Sequence, residues 1–181
     1  MIGKTFDDCK KDKPGHIYAD WEEGAFRCLV MRGPSALCAY IGVKPGNRLY
    51  GKSYESLDID CHGGLTWGSY GGGKDTYRTA GYDWFGWDYG HCNDASFYYS
   101  IDDDGHRWTP DEVVAEFPEV IEQFKELSKY NINDRVKVRD LAGVATVIEL
   151  TEHDLHPYLL EYPDGYVTVA REEDLQEVKD E

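Results

Sequence analysis

The feature that most constrains the fold is one amphipathic helix pattern that lies between two groups of strand-like segments. In TPDEVVAEFPEVIEQFKELSKY (residues 109–130), apolar side chains recur every three or four positions, which predicts a helix with one apolar face. These apolar positions are Val113, Phe117, Val120 or Ile121, Phe124 and Leu127. Thr109 is the expected N-cap, Pro110 the first helical residue, and Glu112 completes a capping box. Pro118 predicts a kink in this helix or its division into two pieces. The apolar face itself predicts packing on a sheet.

The segments before the helix predict a small antiparallel sheet. FRCLVMR (residues 26–32) and LCAYIGV (residues 37–43) are rich in β-favouring residues and flank the turn GPSA. LDID (residues 57–60) is expected to be a further strand that leads into His62. The glycine-rich segment 68–81 is interpreted as a flexible connector, because it lacks the spacing of a phosphate-binding loop.

The tail of the chain changes character after the helix. Residues 131–181 contain three or four short strand patterns, with a Pro-Asp-Gly hairpin at 163–165 and a bend at Gly143. This tail resembles the small SH3-like barrels that are appended to many bacterial and phage proteins. We therefore predict an α+β domain over residues 1–129, with one kinked amphipathic helix on an antiparallel sheet. An SH3-like β-barrel is expected to follow over residues 130–181.

The acidity of the chain limits its partners. Its net charge is −16, which argues against direct binding to duplex DNA, where Lys and Arg neutralise phosphates. The same charge disfavours anionic membranes and suits docking onto a basic protein or ribonucleoprotein. No stretch approaches the roughly 20 apolar residues of a membrane span. Five cysteines without CxxC spacing fit a reducing compartment, so we predict a cytoplasmic location.

Two motifs carry the residues that suggest chemistry. DCHGGLTWG (residues 60–68) contains His62 and Thr66, whose hydroxyl is a further catalytic candidate, and YDWFGWDYGHCND (residues 82–94) contains His91. An imidazole can act as general acid or base near pH 7, so His62 and His91 could share the proton transfers at a phosphodiester. Asp88, three residues before His91, is the first expected partner of that ring, and Asp94, three residues after, is the alternative. The competing interpretation is that each histidine is a hydrogen-bonded core residue that fixes a turn.

The remaining candidate residues are assigned to ligand binding. Gly63 and Gly64 allow close backbone approach, and Trp67 would add an apolar wall. In the second motif, alternation places Tyr82 and Trp84 on one face of a strand, and Phe85, Trp87 and Tyr89 on the other. An aromatic ring on the face that is not core could stack on a nucleobase. The complete predicted ligand set is Gly63, Gly64, Trp67, Trp84, Trp87, Asp94, Arg27 and Arg32, the two arginines being candidates to hold a phosphate.

A metal site is the alternative use of the same residues. His62, His91 and either Asp88 or Asp94 could supply three ligands, whereas adjacent residues such as Cys61 and His62 point to opposite faces of an extended chain. We predict that the site needs no metal and no cofactor.

The order of the motifs resembles a family of small proteins encoded by bacteriophages and prophages. In that family an arginine-bearing strand and a Gly-Tyr-Val/Ile-Gly-Val segment precede a His-Gly-Gly-x-Thr-aromatic motif. A later motif has the pattern Gly-aromatic-Asp-x-x-His-x-x-Asp. The match covers residues 25–128. Tyr89-Gly90 stands where family members place Cys-Ala between the aspartate and the histidine, which speaks against a cysteine nucleophile. The resemblance implies a phage setting rather than a particular activity.

These observations lead to three expectations for function. The first is a phage or mobile-element counter-defence protein that binds a host nucleic-acid-targeting effector, such as a Cas9–guide RNA complex, in the manner of an anti-CRISPR. His-dependent RNA cleavage of a ribonuclease or phosphodiesterase type could accompany that binding. The second is a stand-alone enzyme or sponge that cleaves or sequesters a cyclic or small nucleotide immune signal. The third is a structural phage accessory protein.

Overall fold

The computed structural model describes residues 1–69, 81–98, 104–151 and 157–178, and the chain divides into two compact units. The first unit comprises Met1–Pro45 and Tyr50–Glu126, and the second comprises Gly46–Leu49 and Leu127–Glu181. The main boundary therefore lies between residues 126 and 127, and four residues from an early loop join the second unit as well.

The first unit contains a five-stranded antiparallel sheet and two helices. In chain order its elements are helix α1 (Phe6–Lys11), strands β1 (Ile17–Glu23), β2 (Phe26–Arg32) and β3 (Leu37–Val43), a 3₁₀ turn (Tyr54–Ser56), strands β4 (Trp67–Ser69) and β5 (Asp83–Asp88), and helix α2 (Pro110–Leu127). The strands follow the spatial order β1-β2-β3-β5-β4. The α+β class and the antiparallel sheet that the sequence predicts are both present.

One face of this sheet packs on α2 through aromatic rings. The ring of Phe124 lies 5.4 Å from that of Phe85, and the ring of Phe117 lies 5.3 Å from that of Trp87 and 4.7 Å from that of Trp21. Directly opposite residues of neighbouring strands share a face, as in the pairs Ile41–Phe85 and Ala39–Trp87. The predicted apolar stripe is thus buried from Val113 to Phe124 and meets the sheet through Phe117 and Phe124, whereas its last predicted member, Leu127, is exposed.

The opposite face of the sheet carries a second apolar cluster. Leu29, Met31, Tyr82 and Trp84 are buried there, with Trp67 and Tyr40 packed against them. Tyr82 and Trp84 lie together, whereas Phe85 and Trp87 face the helix, which confirms the alternation predicted for the aromatic run.

Helix α2 begins as predicted and continues through its proline. The Thr109 hydroxyl donates to Glu112 Oε2 at 2.7 Å, and the Glu112 amide donates back to Thr109 at 3.4 Å. Although Pro118 cannot donate a backbone hydrogen bond, the helix is continuous from Pro110 to Leu127. The prediction of two separate pieces is therefore wrong.

Three local features differ from the sequence predictions. LDID is not a strand, because residues 57–60 adopt an irregular path after the 3₁₀ turn. A buried Phe6 and Cys9 anchor helix α1, and the edge strand β1 pairs with β2. Neither α1 nor β1 has a strong periodic pattern, because both bury few residues.

The second unit is a five-stranded antiparallel sheet. Its elements are β6 (Arg135–Val138), β7 (Ala145–Leu150), β8 (Tyr158–Glu161), β9 (Val167–Ala170), a 3₁₀ turn (Glu172–Asp174) and β10 (Leu175–Glu177), in the spatial order β10-β6-β7-β8-β9. The predicted hairpin joins β8 to β9. Within the described residues β9 and β10 do not pair, so a closed barrel is not established.

Residues 46–49 are part of this second unit through hydrogen bonds. The Ile132 amide donates to the Gly46 carbonyl at 2.9 Å, and the Arg48 amide donates to Asn131 Oδ1 at 3.1 Å. The Arg48 guanidinium donates to the Tyr158 hydroxyl and to Glu172 Oε2, each at 2.8 Å.

None of the helices in the described ranges is long and apolar enough to cross a membrane.

Replacement of Pro118 by alanine tests the continuity of α2. Pro118 is exposed, so alanine can restore the missing helical hydrogen bond without a clash, and we expect the free energy of unfolding to rise by about 1–2 kcal/mol. Urea unfolding measures this change, with the exposed neighbour Glu119→Ala as the control. A loss of stability in Pro118→Ala would mean that the proline shapes a bend on which packing depends.

Candidate functional site

Three irregular segments of the first unit meet to form the candidate site. They are the loop at residues 60–66, the turn at residues 89–95 that follows β5, and the segment at residues 104–109 that precedes α2. Backbone hydrogen bonds join the last two, from the Ala95 amide to the His106 carbonyl at 2.9 Å and from the His106 amide to the Asn93 carbonyl at 2.7 Å. The turn is closed on itself by a bond from the Asp94 amide to the His91 carbonyl at 3.1 Å.

The carboxylate of Asp94 is the centre of this site. It lies 2.7 Å from His62 Nε2 and accepts hydrogen bonds from Trp108 Nε1 at 2.8 Å and from the His91 amide at 2.9 Å. Its side chain is only 4% exposed. Burial acts to raise the pKa of Asp94, but the bonds from His62, Trp108 and the His91 amide outweigh it and hold the pKa below the usual value. Asp94 is therefore an ionised, fixed anchor.

The imidazole of His62 is held by stacking as well as by Asp94. It lies parallel to the ring of Tyr89, with centroids 4.8 Å apart and an interplanar angle of 8°, and its edge meets Trp108 at 4.9 Å. Tyr89 is itself fixed, because its hydroxyl donates to Glu116 Oε2 at 2.6 Å and accepts from Trp87 Nε1 at 3.0 Å. Burial and the bond to Glu116 raise the pKa of Tyr89, so the phenol stays neutral.

The second imidazole, that of His91, lies beside the first. The ring centroids of His62 and His91 are 5.5 Å apart. Their side chains are 24% and 31% exposed, so both rings reach solvent in part. His91 Nε2 is buried and makes no hydrogen bond within the described residues. The two histidines that the sequence placed in separate motifs are thus neighbours.

Gly63 makes this arrangement possible. A Cβ at this position would overlap the imidazole of His91, and the backbone φ of +68° is one that L side chains rarely adopt. The glycine of the first motif therefore serves the close approach of the chain to His91, a role that differs from the ligand contact predicted for it. Gly64 also has a positive φ, of +78°.

Asp88 and Thr66 form a pair at the edge of the site. The Thr66 hydroxyl donates to Asp88 Oδ2 at 3.1 Å, and the Gly90 amide donates to Asp88 Oδ1 at 3.0 Å. Asp88 Oδ1 lies 3.8 Å from His91 Nε2, which is too long for a hydrogen bond. Of the two predicted partners, Asp88 is thus the carboxylate near the ring of His91, within ion-pair distance, whereas Asp94 holds the ring of His62 and bonds His91 only through its backbone amide.

The predicted tryptophan and arginine ligands lie in other surroundings. Trp84 and Trp87 are each 1% exposed, so neither ring can stack on a ligand. Arg27 makes a two-bond ion pair with Asp20 at 2.8 Å. Arg32 is 6% exposed and donates to the backbone carbonyls of Cys9, Gly33 and Pro34. Arg32 is a structural residue because its guanidinium is occupied by the main chain.

Trp67 belongs to the sheet rather than to the histidine cluster. It lies in β4, and its ring meets Tyr40 edge-on at 5.7 Å. The glycine-rich segment that follows it was interpreted as a connector, and its residues 70–80 lie outside the described part of the chain.

Sequence reasoning missed four members of the cluster. They are Trp108, His106, Glu112 and Glu116. The ring of His106 packs on Trp108 at 4.5 Å, and its Nε2 lies 3.2 Å from Glu112 Oε1. Trp108 directly precedes the predicted N-cap, so its place at the start of α2 could be read from the sequence. Its hydrogen bond to Asp94, 14 residues earlier, could not be predicted from the sequence.

The described residues offer no metal centre, and the thiol of Cys61 is not activated. Within them, no group of three or more His, Cys, Asp or Glu side chains is placed to hold a metal ion. Burial, together with Asp60 and Glu116, raises the pKa of Cys61 to about 12, so this thiol is not a nucleophile near pH 7. All five cysteines are free.

Comparison of the chain with protein-family models, with curated proteins and with solved structures gives no match. The function must therefore be argued from the geometry of the site.

Replacement of Asp94 by asparagine tests the anchor. The substitution keeps the shape but removes the charge that His62 and Trp108 bond, so we expect the free energy of unfolding at pH 7 to fall by about 2 kcal/mol. Because the folded pKa of Asp94 is lowered, its contribution is complete above the unfolded value of about 3.9 and disappears as the pH falls through the folded value. The difference between wild type and variant should therefore shrink from pH 7 to about pH 3.

Urea unfolding at the two pH values measures both effects, and Asp58→Asn is the control, since Asp58 is exposed on the approach to the same loop. Equal behaviour of Asp94→Asn and Asp58→Asn would contradict the role of Asp94 as an anchor.

Proposed function

We propose that the His62 cluster is a general acid–base site that cleaves a phosphodiester bond in a small nucleotide. The observation that carries this proposal is the hydrogen bond between His62 Nε2 and the buried, ionised Asp94 carboxylate, with a second imidazole beside it. A carboxylate in this position fixes the tautomer and the orientation of an imidazole and stabilises its protonated form. This is the arrangement that a general base requires.

The two histidines take different roles in the proposed reaction. His62 donates Nε2–H to Asp94, which leaves Nδ1 to accept a proton from the attacking water. The water oxygen bonds to phosphorus as the bond from phosphorus to the leaving oxygen breaks. His91 begins the step protonated, with Nε2–H near Asp88 Oδ1 at 3.8 Å, and its Nδ1–H gives the proton to that leaving oxygen. One water is consumed, and a cyclic substrate opens to one linear product that carries a phosphomonoester at one end and a hydroxyl at the other.

The charge around the site favours a substrate with few phosphates. Three carboxylates lie around the cluster: Asp88 at the end of β5, Asp60 in the first loop and Glu112 at the start of α2. The nearby Arg107 forms an ion pair with Asp7 at 3.9 Å. Carboxylates at this density repel a polyanion such as long RNA. A cyclic dinucleotide, with two charges, fits better than a nucleic-acid strand.

The aromatic rings have a supporting role in this proposal. Tyr89 is 1% exposed, and it presents its face to His62 rather than to a ligand. Its bond to Glu116 fixes the plane on which His62 rests. Orientation of the base by a rigid surface reduces the entropy lost on reaching the transition state.

Replacement of His62 by glutamine tests the catalytic role. Glutamine can still hydrogen-bond Asp94 but cannot act as a base near pH 7, so we expect cleavage of cyclic dinucleotides to slow by about 10²-fold or more. Product formation is followed by chromatography of the opened ring. The matched control is His16→Gln, since His16 is an exposed histidine beside Tyr18 and should leave the rate unchanged. Absence of turnover by the wild-type protein across the cyclic dinucleotides would refute the proposal.

A second candidate function is docking onto a basic partner. We propose, as the alternative, that the chain is a phage counter-defence protein that binds a host effector–guide RNA complex in the bacterial cytoplasm. The net charge of −16 supports it. The charge is also spread along the chain, because residues 131–181 alone contain five Lys and Arg against thirteen Asp and Glu. The SH3-like barrel belongs to this proposal, and it is supported by the strand order β10-β6-β7-β8-β9 and the 3₁₀ turn before β10.

Salt dependence separates the two candidates. If docking is the function, binding to guide-loaded effector should weaken by more than about tenfold as salt rises from about 0.05 to about 0.5 M, because surface charge attraction is screened. His62→Gln should bind as tightly as wild type. Biolayer interferometry measures both. Binding that is insensitive to salt, or lost in His62→Gln, would contradict docking by charge.

A further inference from the structure

The outermost strand of the second unit, β9, has an unusual surface. It ends the spatial order β10-β6-β7-β8-β9, so one of its edges faces no other strand within the described residues. Tyr166, Val167 and Val169 are 57%, 46% and 48% exposed. The strand is therefore both an open edge and an apolar surface.

Side chains alternate along β9, so its exposed residues and its core residues lie on opposite faces of the strand. Ala170 is opposite Tyr158, and both are buried in the cluster that holds the unit together. Val169 is opposite the half-buried Leu159, and Val167 is opposite Glu161, on the outer face. The exposed valines therefore form a short apolar strip beside the free edge, and the core of the unit does not need them.

Protein sheets normally protect such an edge. Lysines, prolines, bulges and inward-pointing charges interrupt edge strands and prevent them from pairing with another chain. A short edge strand is also a protection, and β9 has four residues. Its sequence VTVA has no lysine, proline or other charge, and its pairing with β8 is regular over all four positions. An exposed, regular and apolar edge is a template for the addition of a further strand.

Charge identifies the chemistry of the strand that would be added. Acidic residues flank β9 on both sides, with Glu161 and Asp164 towards the hairpin and Glu172 and Glu173 after Ala170. Within this set, Arg48 engages Glu172, Arg171 engages Glu173, and Asp164 Oδ1 accepts from the Tyr166 amide at 3.1 Å. Glu161 and Asp164 are exposed, so they are the carboxylates near the hairpin that an incoming cation can reach.

We propose that β9 binds an extended basic peptide segment of a partner protein, which pairs with the edge as a sixth strand. Alternate apolar side chains of the peptide lie on Val167 and Val169, and its Lys or Arg side chains reach the flanking carboxylates. This inference rests on the docking function proposed above in one respect, which is that the partner is positively charged. It requires nothing of the His62 site.

The test uses the full-length protein and synthetic peptides. The probe is a fluorescent ten-residue peptide in which Lys alternates with Val or Thr, and its anisotropy is measured on titration with the protein. Two control peptides have Glu in place of Lys, or Pro at alternate positions so that no strand can form. Amide hydrogen exchange of Val167 to Val169 is measured with and without the probe. We expect the Lys peptide alone to bind and to slow exchange in β9.

Protein variants locate the binding surface. Val167→Lys/Val169→Lys should weaken binding of the Lys peptide by at least about tenfold, through lost apolar contact and added repulsion. Leu141→Lys is the matched control, because Leu141 is an exposed apolar residue of the same unit, at 46%, and should bind normally. Val167→Thr/Val169→Thr keeps the strand propensity and should bind with intermediate affinity, so a folding defect in the lysine variant cannot be mistaken for lost recognition.

Three results would overturn the proposal. They are equal binding of the Glu peptide, normal binding by the lysine variant, and a protein that sediments as a dimer unless Val167 and Val169 are replaced. The last result would assign the edge to a second copy of this chain. Peptide binding without any binding of effector would retain this inference and remove the docking function.

Discussion

The packing of α2 on the sheet is the interaction on which the rest of the first unit depends. Phe117 and Phe124 contribute about 1.5–3 kcal/mol each by burial, and their contacts with Trp87 and Phe85 add about 0.5–1.5 kcal/mol per ring pair. Because side chains alternate along β5, the same contacts that turn Phe85 and Trp87 towards the helix place Tyr89 at the end of that row. Tyr89 is then the surface on which His62 stacks. The orientation of the candidate base follows from the helix–sheet core.

The Asp94 carboxylate holds the three irregular segments of the candidate site together. A buried ionised carboxylate is costly unless its oxygens are hydrogen-bonded. Here the bonds come from His62, from Trp108 and from the His91 amide, one from each segment. Displacement of any one segment would leave the buried carboxylate with fewer hydrogen-bond donors. The carboxylate therefore fixes the positions of the three segments. A structural anchor and a catalytic dyad both require these fixed positions. Only the His62→Gln variant distinguishes the two roles of the site.

Local patterns predicted the parts of the fold that depend on local forces. Strands β2 and β3 match the predicted segments residue for residue, and the capping box at Thr109 and Glu112 is present. The sequence left open whether His62 and His91 lie in one pocket, and their rings are 5.5 Å apart. The structural role of Arg32 could not be predicted from the sequence, because its guanidinium donates to main-chain carbonyls up to 23 residues away. Trp108 was missed for the same reason, since its bond to Asp94 depends on how two turns meet in space.

The loop at residues 46–49 limits how the two units could be exchanged by recombination. The chain passes from one unit to the other after Pro45, returns before Tyr50, and passes over again after Glu126. A recombination event at the last junction alone would separate Arg48 from Tyr158 and Glu172, its partners at 2.8 Å. The phenol and carboxylate would lose their cation, and the guanidinium would be inherited without a counterion. Exchange of residues 127–181 by a single crossover is thereby disfavoured.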